Sequence, residues 1–504
     1  MFASPRALAA GVLLLGAACS RTDLEPAALG AHTGSGASDP GQGGSIPGEG
    51  GSAGGAGGAG TTTTSSSSTG GAGGGATCLP VLACEASFQA IGVAKKAGLY
   101  GAEVLDLAGN GCGTAAVGYT WSSFEVGGTT VEGGSHYALT LDPAGNPRWA
   151  KPLPATTIHA IGVDASGGVL LAGTFAETLE LDGKVIAAGL GTAFFVLSLG
   201  YEGNLRWVRS FDAAGGDDVA DLAVDASGRV TLVGTYSTPV DFGGGALSAD
   251  LHTFAATFSP GGEYLHSEAF GTGLTAAHAV VATADEHTVI AGSFTGTISA
   301  PGVADLVAMD GAGVHDIFVL DRDAAGQASW SKRFGGAAND AITTLSDGVD
   351  GTLWLAGIFG ATLDFGGPPL TAPKALVPSP FFAHLTASGD HLGSGALPTV
   401  GVLSKDVDFP ISIAADAEGG AIVSQAVGVT FFGDEPPEPV QIAVHRIDSA
   451  GLVASTETYA AQGYIRVASV PGGVALAGAT VAAFELDGNA IEAPAQFVAT
   501  RCPP

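Results

Sequence analysis

Side chains able to do chemistry are few and scattered in this chain of 504 residues. An Asp-x-x-Gly motif recurs at Asp106/Gly109, Asp142/Gly145, Asp164/Gly167, Asp225/Gly228, Asp323/Gly326, Asp416/Gly419 and Asp448/Gly451. A repeated carboxylate invites calcium, but none of these sites carries the further acidic ligands of an EF-hand loop at its spacing. A hairpin needs only what the motif contains: Asp accepts turn N–H groups, and Gly takes the positive φ of the closing residue. Gly50-Gly51-Ser52-Ala53-Gly54 fits the nucleophile-elbow pattern without the strand and helix that would hold a serine strained and exposed. The 11 His include no His-Glu-x-x-His, and no Ser-His-Asp set can be assembled from spacing. Apart from Cys19 there are four cysteines, Cys78, Cys84, Cys112 and Cys502, with no flanking His and a spacing unlike a zinc ribbon. They read as disulfide partners. No catalytic residue, metal site or cofactor is assigned.

The elements that would position such groups are β-strands. Gly (81) and Pro (26) interrupt the chain too often for long helices, while 46% apolar residues exclude a wholly disordered polyelectrolyte. Eighteen basic residues against 48 acidic ones, a net charge of −30, exclude nucleic acid and docking on an anionic membrane surface as functions.

Residues 78–504 are internally repetitive. Tyr137, Phe195, Phe254, Phe318, Phe382, Ile442 and Phe497 occupy one repeat position, and twelve residues after four of them stand Trp149, Trp207, His266 and Trp330. Strand ends mark the same register at Gly118, Gly173, Gly234, Gly292, Gly357, Gln425 and Gly478, about 60 residues apart. The two terminal remnants together make one more repeat. Seven repeats of four short strands, one of them assembled from both ends, predict a seven-bladed β-propeller, whose closure removes exposed sheet edges. Inner strands are expected to begin near Glu103, Ile158, Val219, His278, Ala341, Ile411 and Ile465. The last blade should combine a C-terminal strand at 496–501 with an outer strand at 86–93.

The cysteines fit that break in the ring. A Cys84–Cys502 bridge would replace the missing hairpin and, in the chain-entropy picture, contribute roughly 4–5 kcal/mol. Cys112, in the inner hairpin of blade one, would then take Cys78. The pairing Cys78–Cys502 with Cys84–Cys112 serves as well.

Trp149, Trp207 and Trp330 share one repeat position and are expected to pack blade on blade; Trp354, in an apolar strand, is expected in the core. Trp121 begins a long loop on the opposite face of the disc from the cysteines and is the one ligand-face candidate. Loops such as Val240–Gly244, Leu363–Gly367 and Phe484–Gly488 fall on that face in every blade, and read as plain Gly-rich connections before they read as a site.

The N-terminus has the layout of a secretory signal: Arg6, an apolar run from Ala7 to Ala18, then Cys19. Leu15-Gly16-Ala17-Ala18-Cys19 resembles the lipobox of bacterial lipoproteins, which implies a signal peptide at 1–18 and lipidation of Cys19; Gly16 departs from the usual larger aliphatic residue. Ser20 does not resemble an inner-membrane retention signal, which favours the outer membrane or cell surface. Residues 19–77, rich in Gly, Ser and Thr, are expected to be a disordered tether spanning roughly 40 Å.

Trp330-Ser331-Lys332-Arg333-Phe334-Gly335-Gly336 with Asp340, and Asp225-Ala226-Ser227-Gly228 leading to Gly234-Thr235-Tyr236-Ser237, resemble the bacterial SBBP-type β-propeller repeat. Blades five and six depart from it: Gln425 replaces the marker Gly and no Trp follows at twelve residues. The resemblance implies an extracytoplasmic, often cell-surface protein and transfers no catalytic residue. The expected function is a monomeric, non-enzymatic binding or scaffold module, held to the membrane by its lipid alone, for a carbohydrate or protein partner. The alternatives are a lyase or hydrolase with its site in the central channel, or a passive spacer. The channel enzyme would need charged or His side chains converging from several inner strands, where Asp221, Asp340 and His278 are the exceptions among apolar residues.

Overall fold

The computed structural model describes residues 87–92 and 102–502, apart from 155, 214–217, 249–251, 310–313, 374–377, 399–410, 428–440, 461, 481–483, 487–488 and 492–494. The expected signal peptide, Cys19, the tether, Cys78 and Cys84 lie outside the described residues.

Seven four-stranded antiparallel sheets form a seven-bladed β-propeller. Blade one runs outward as Ala102–Asn110, Gly113–Thr120, Ser135–Leu141 and Pro147–Leu153. The other inner strands are Thr156–Val163, Asp218–Val224, Thr275–Ala282, Asp340–Asp347, Ile411–Ala415 and Gln462–Val470. Each inner strand touches the next, and the seventh touches the first, so the ring is closed. Blade seven takes Ala495–Arg501 as its third strand and Ser87–Gly92, paired antiparallel to it, as its outer strand. Across this junction the buried Tyr137 hydroxyl of blade one donates to Gln496 Oε1 of blade seven at 2.6 Å. Seven hydrophobic clusters fill the seven interfaces between adjacent blades.

The marker glycines have a steric cause. In blades one to five the inner strand carries a one-residue bulge directly after the residue paired with the marker, at Leu105, His159, Ala220, His278 and Thr343. The bulge presses an inner-strand carbonyl onto the marker: a Cβ on Gly234 would lie 2.1 Å from the Asp218 oxygen, and one on Gly292 would lie 2.0 Å from that of Ala276. In blade six, where Gln425 stands at the marker, Ile411–Ala415 pairs without a bulge. Blade seven keeps the glycine, Gly478, with its strand irregularity displaced to before the paired Ile465.

The repeated Trp is an interblade latch. Trp149, Trp207 and Trp330 donate their indole N–H to carbonyls of Tyr201, Pro260 and Ala387 in the next blade, each at 2.8–2.9 Å. Their rings lie against the turn glycines Gly203, Gly262 and Gly389, all at positive φ, where a Cβ would have no room. His266 lies against Gly326 in the same way. Between blades five and six, Gly393 replaces the Trp and meets Gly451 backbone to backbone. Trp354 is fully buried and stacks on His384. All these packing roles follow the sequence expectation.

Six of the Asp-x-x-Gly motifs are hairpin turns, with the glycine at positive φ and its N–H donating to the Asp carbonyl. The Asp carboxylates at 142, 164, 225, 323, 416 and 448 accept further turn N–H groups. The seventh, Asp106/Gly109, is a correction: both residues lie within the inner strand Ala102–Asn110, and Asp106 belongs to the channel.

Candidate functional site

An inner strand is the free edge of its blade, so its outward-pointing N–H groups need partners. Asp106 Oδ2 accepts from Ile161 N of blade two, Asp221 Oδ2 from Val280 N of blade four, and Ser412 Oγ from Val467 N of blade seven. These three occupy one repeat position, paired one residue beyond the marker; Ala160, Ala279, Thr344 and Arg466 fill it elsewhere. Burial raises the carboxyl of Asp106 to about 6, against the pull of the Arg466 charge. Burial raises Asp221 to about 8, and Asp106 adds to it. These two are edge caps first, holding blade to blade.

A second set lies one residue before the marker-paired position, at the channel mouth where inner strands begin. There blades one and three carry Glu103 and Asp218; directly after the marker-paired residue, the bulges of blades two and four carry His159 and His278. Carboxylates and imidazoles thus come from two register positions in four successive blades. His159 Nε2 lies 3.1 Å from Asp218 Oδ1, with side chains 20% and 31% exposed. The distance suggests an ion pair, but burial pushes His159 down to about 4 and Asp218 up to about 7. Near neutrality the imidazole is therefore uncharged and the carboxyl divided between its two forms, and the buried Asp218 Oδ1 has no aligned donor. His278 Nε2 sits 2.9 Å from Ser293 Oγ, and burial lowers this imidazole to about 4 as well. Asp340, raised to about 7 by burial, accepts N–H groups from Gly336 and Gly360.

The aromatic part of the mouth belongs to blade one. Glu103, Tyr119 and His136 face one another across three strands. Tyr119 packs edge-on against both Trp121 (5.0 Å) and His136 (4.9 Å), and all three rings are half-buried. Burial lowers His136 to about 4, and this ring in turn helps to keep the His159 imidazole uncharged.

Comparison with the sister blades sets Tyr119 and Trp121 apart, since no other blade has an aromatic at either position; at the positions of His136 and Thr120 blades six and seven are also polar in part, with Gln441, Gln496 and Thr480. Two positions past the marker, blades two to five place Phe175, Tyr236, Phe294 and Phe359 in the core. Blade one has buried Thr120 there and moves its aromatics to either side, as Tyr119 and Trp121. At the position of His136, blades two to five bury Phe194, Thr253, Ile317 and Phe381 completely.

Trp121, the one ligand-face residue expected from sequence, thus stands in a cluster, half-buried against Tyr119. Sequence reasoning missed Tyr119, His136, Glu103, His159 and Asp218, and left Asp106 among the turns. The long loops contribute packing: Phe242 and Phe365 are buried in the interblade clusters. Asp241 and Asp364 accept N–H groups within their own loops. Cys112 and Cys502 are disulfide-bonded. Among the described residues, no group of three or more His, Cys, Asp or Glu is placed to hold a metal ion.

No family model and no curated protein matches the chain. Similar solved structures include the Dos1 propeller (8% identity, TM-score 0.39, 81% of this chain and 95% of that one). The C-terminal WD40 domain of Sif2 is another (8%, 0.40, 82% and 99%), as is a PL25 ulvan lyase (8%, 0.37, 72% and 87%). Likeness at this level carries no argument about function, and the propeller assignment rests on the chain's own strand pairing.

Proposed function

We propose that this protein is a surface-tethered lipoprotein of the SBBP-type repeat class whose propeller is a binding module for an envelope or extracellular partner. The observation that carries the reading is the departure of blade one from its own repeat. His136 stands where blades two to five bury a core residue, and Tyr119 and Trp121 add two half-buried rings where sister blades carry small or polar residues such as Thr174 and Ala176 or Thr235 and Ser237. Large amphipathic rings with a few convergent polar groups are the composition of ligand sites. The lipobox-like Leu15–Cys19 and the Gly/Ser/Thr tether support presentation at the outer membrane, with Cys19 as the lipidated residue. A Cys84–Cys502 clasp with Cys78–Cys112, or the exchanged pairing, would hold the ring closed there.

The reading is tested by screening the oxidised full chain, in mild detergent, against glycans and fractionated envelope components of its own cells. Saturable binding that weakens in Trp121→Ala supports it; a blank across all fractions removes it. Anchoring is tested separately. Cys19→Ala should abolish lipid labelling, and globomycin should block processing; unchanged processing would sink the anchor.

One observation favours a channel enzyme as a second reading. Burial holds the carboxyls of Asp106, Asp218, Asp221 and Asp340 above the usual carboxylate range, and Asp218 lies 3.1 Å from the imidazole of His159. Groups displaced in this way can serve as acids and bases. A lyase or hydrolase activity lost in both Asp218→Asn and His159→Gln would establish that reading over the binding module.

A further inference from the structure

Resting on the binding-module reading, we infer that the mouth over blades one to three takes a neutral glycan. One sugar ring lies against Tyr119 and Trp121, and its hydroxyls exchange hydrogen bonds with His136, His159 and Asp218. Three features of the site select that chemistry.

The first is shape. Blade one removes a core aromatic at Thr120 and presents two rings edge to face, 5.0 Å apart, beside a third at His136. Half-buried rings offer a flat apolar surface without a deep apolar pit, which suits the C–H face of a sugar ring better than an aliphatic chain.

The second is hydrogen-bonding character. A neutral imidazole has one donor and one acceptor, and a protonated carboxyl likewise has both. His136, His159 and Asp218 are held in or near those forms by burial. Sugar hydroxyls also donate and accept, so every group finds a partner.

The third is charge. An acidic glycan would need a cation, and Arg466, the inner-strand cation at the ring position, faces the carboxyls of Glu103 and Asp106. The whole chain, at −30, repels polyanions besides. A cationic ligand would need ionised carboxylates at the mouth, and burial opposes that at Asp218 and Glu103.

The test is titration of the full chain in detergent, followed by tryptophan fluorescence and calorimetry. The probes are short neutral oligosaccharides of glucose, mannose, galactose and xylose, with oligogalacturonate and sialyllactose as charged controls. At least one neutral probe should bind with an affinity unchanged between low and high salt. Trp121→Ala should weaken it about tenfold, since an aromatic contact contributes about 1–1.5 kcal/mol. Trp121→Phe should restore most of that loss, and Trp330→Phe, in the latch, should leave it unchanged. Binding confined to charged probes, or falling steeply with salt, overturns the inference. Neutral binding indifferent to both Trp121→Ala and His159→Ala overturns it too. If no neutral probe binds while envelope fractions do, the glycan inference fails and the binding module stands; if nothing binds, both fail.

Discussion

Asp221 offers a sharp test of the channel electrostatics. Its carboxyl sits at the inner edge of blade three, accepts N–H groups from Leu222 and Val280, and feels the charge of Asp106. Burial is the largest influence and lifts it from 3.8 to about 8. The folded state therefore keeps a proton that the unfolded chain releases as pH rises past 3.8, so folding is progressively less favoured across that window. At about 1.4 kcal/mol per tenfold change in proton affinity, the loss approaches a total on the order of 5 kcal/mol. Asp221→Asn removes the titration and keeps one acceptor for the two N–H groups. In acid it should be less stable than the parent by about 1 kcal/mol, the cost of one lost hydrogen bond. Urea midpoints at constant slope, measured on oxidised protein from pH 3 to 9, should then converge, cross at about pH 4.5 and reverse, with the variant the more stable by about 4 kcal/mol at pH 8. A constant packing cost cannot imitate that crossing. Parallel curves would show that Asp221 titrates normally and that the inner ring is wetter than its burial implies.

Three other outcomes follow from the packing and the cysteines. Trp207→Phe should lose about 1 kcal/mol with the bond to Pro260, and Trp207→Ala about 3–5 kcal/mol with the ring over Gly262, both read by thermal unfolding. Gly234→Ala places a Cβ 2.1 Å from the Asp218 carbonyl oxygen and should cost about 3 kcal/mol or more, or prevent folding, measured as soluble yield and unfolding midpoint. A non-reducing peptide map should join Cys502 to a peptide containing Cys84 or Cys78; its absence there would end the clasp.

The architecture was legible because a repeat compares with itself. Marker glycines, the twelve-residue Trp interval and the turn motifs are each imposed by contacts that recur in blade after blade, and their spacing predicted all seven inner strands. Gln425 and the missing Trp of blade five were visible as departures, and each has a structural counterpart, an absent bulge and the Gly393–Gly451 contact. The channel was harder to read. Glu103-x-x-Asp106 and Asp218-x-x-Asp221 are the same pattern at the same repeat position. A turn motif overlapped the first, and a bulge shifts which residues share a face, so spacing alone placed Asp106 in a hairpin. His159 was hidden for a similar reason: a bulged residue falls outside the alternation by which strands are read.

The same self-comparison separates structure from site within the channel. Asp106, Asp221 and Ser412 differ in type yet perform one task, capping an N–H of the next blade, so their polarity is explained by the edge they close. Tyr119, Trp121 and His136 perform no task that their counterparts perform. Phe194, the counterpart of His136, is fully buried in an interface, whereas His136 is half-buried; Tyr119 and Trp121 stand where blade two has Thr174 and Ala176, so their rings are additions to the blade. Thr120 takes the vacated core position and turns its hydroxyl onto the neighbouring Ser122 carbonyl, so the local chain repairs itself around the change. Polar residues recur at the positions of Thr120 and His136 in blades six and seven, as Thr480, Gln441 and Gln496, so what blade one alone has is the pair of rings Tyr119 and Trp121. Those two rings meet His136 at the mouth, with the His159–Asp218 pair of the next two blades, and that conjunction recurs nowhere else among the described residues.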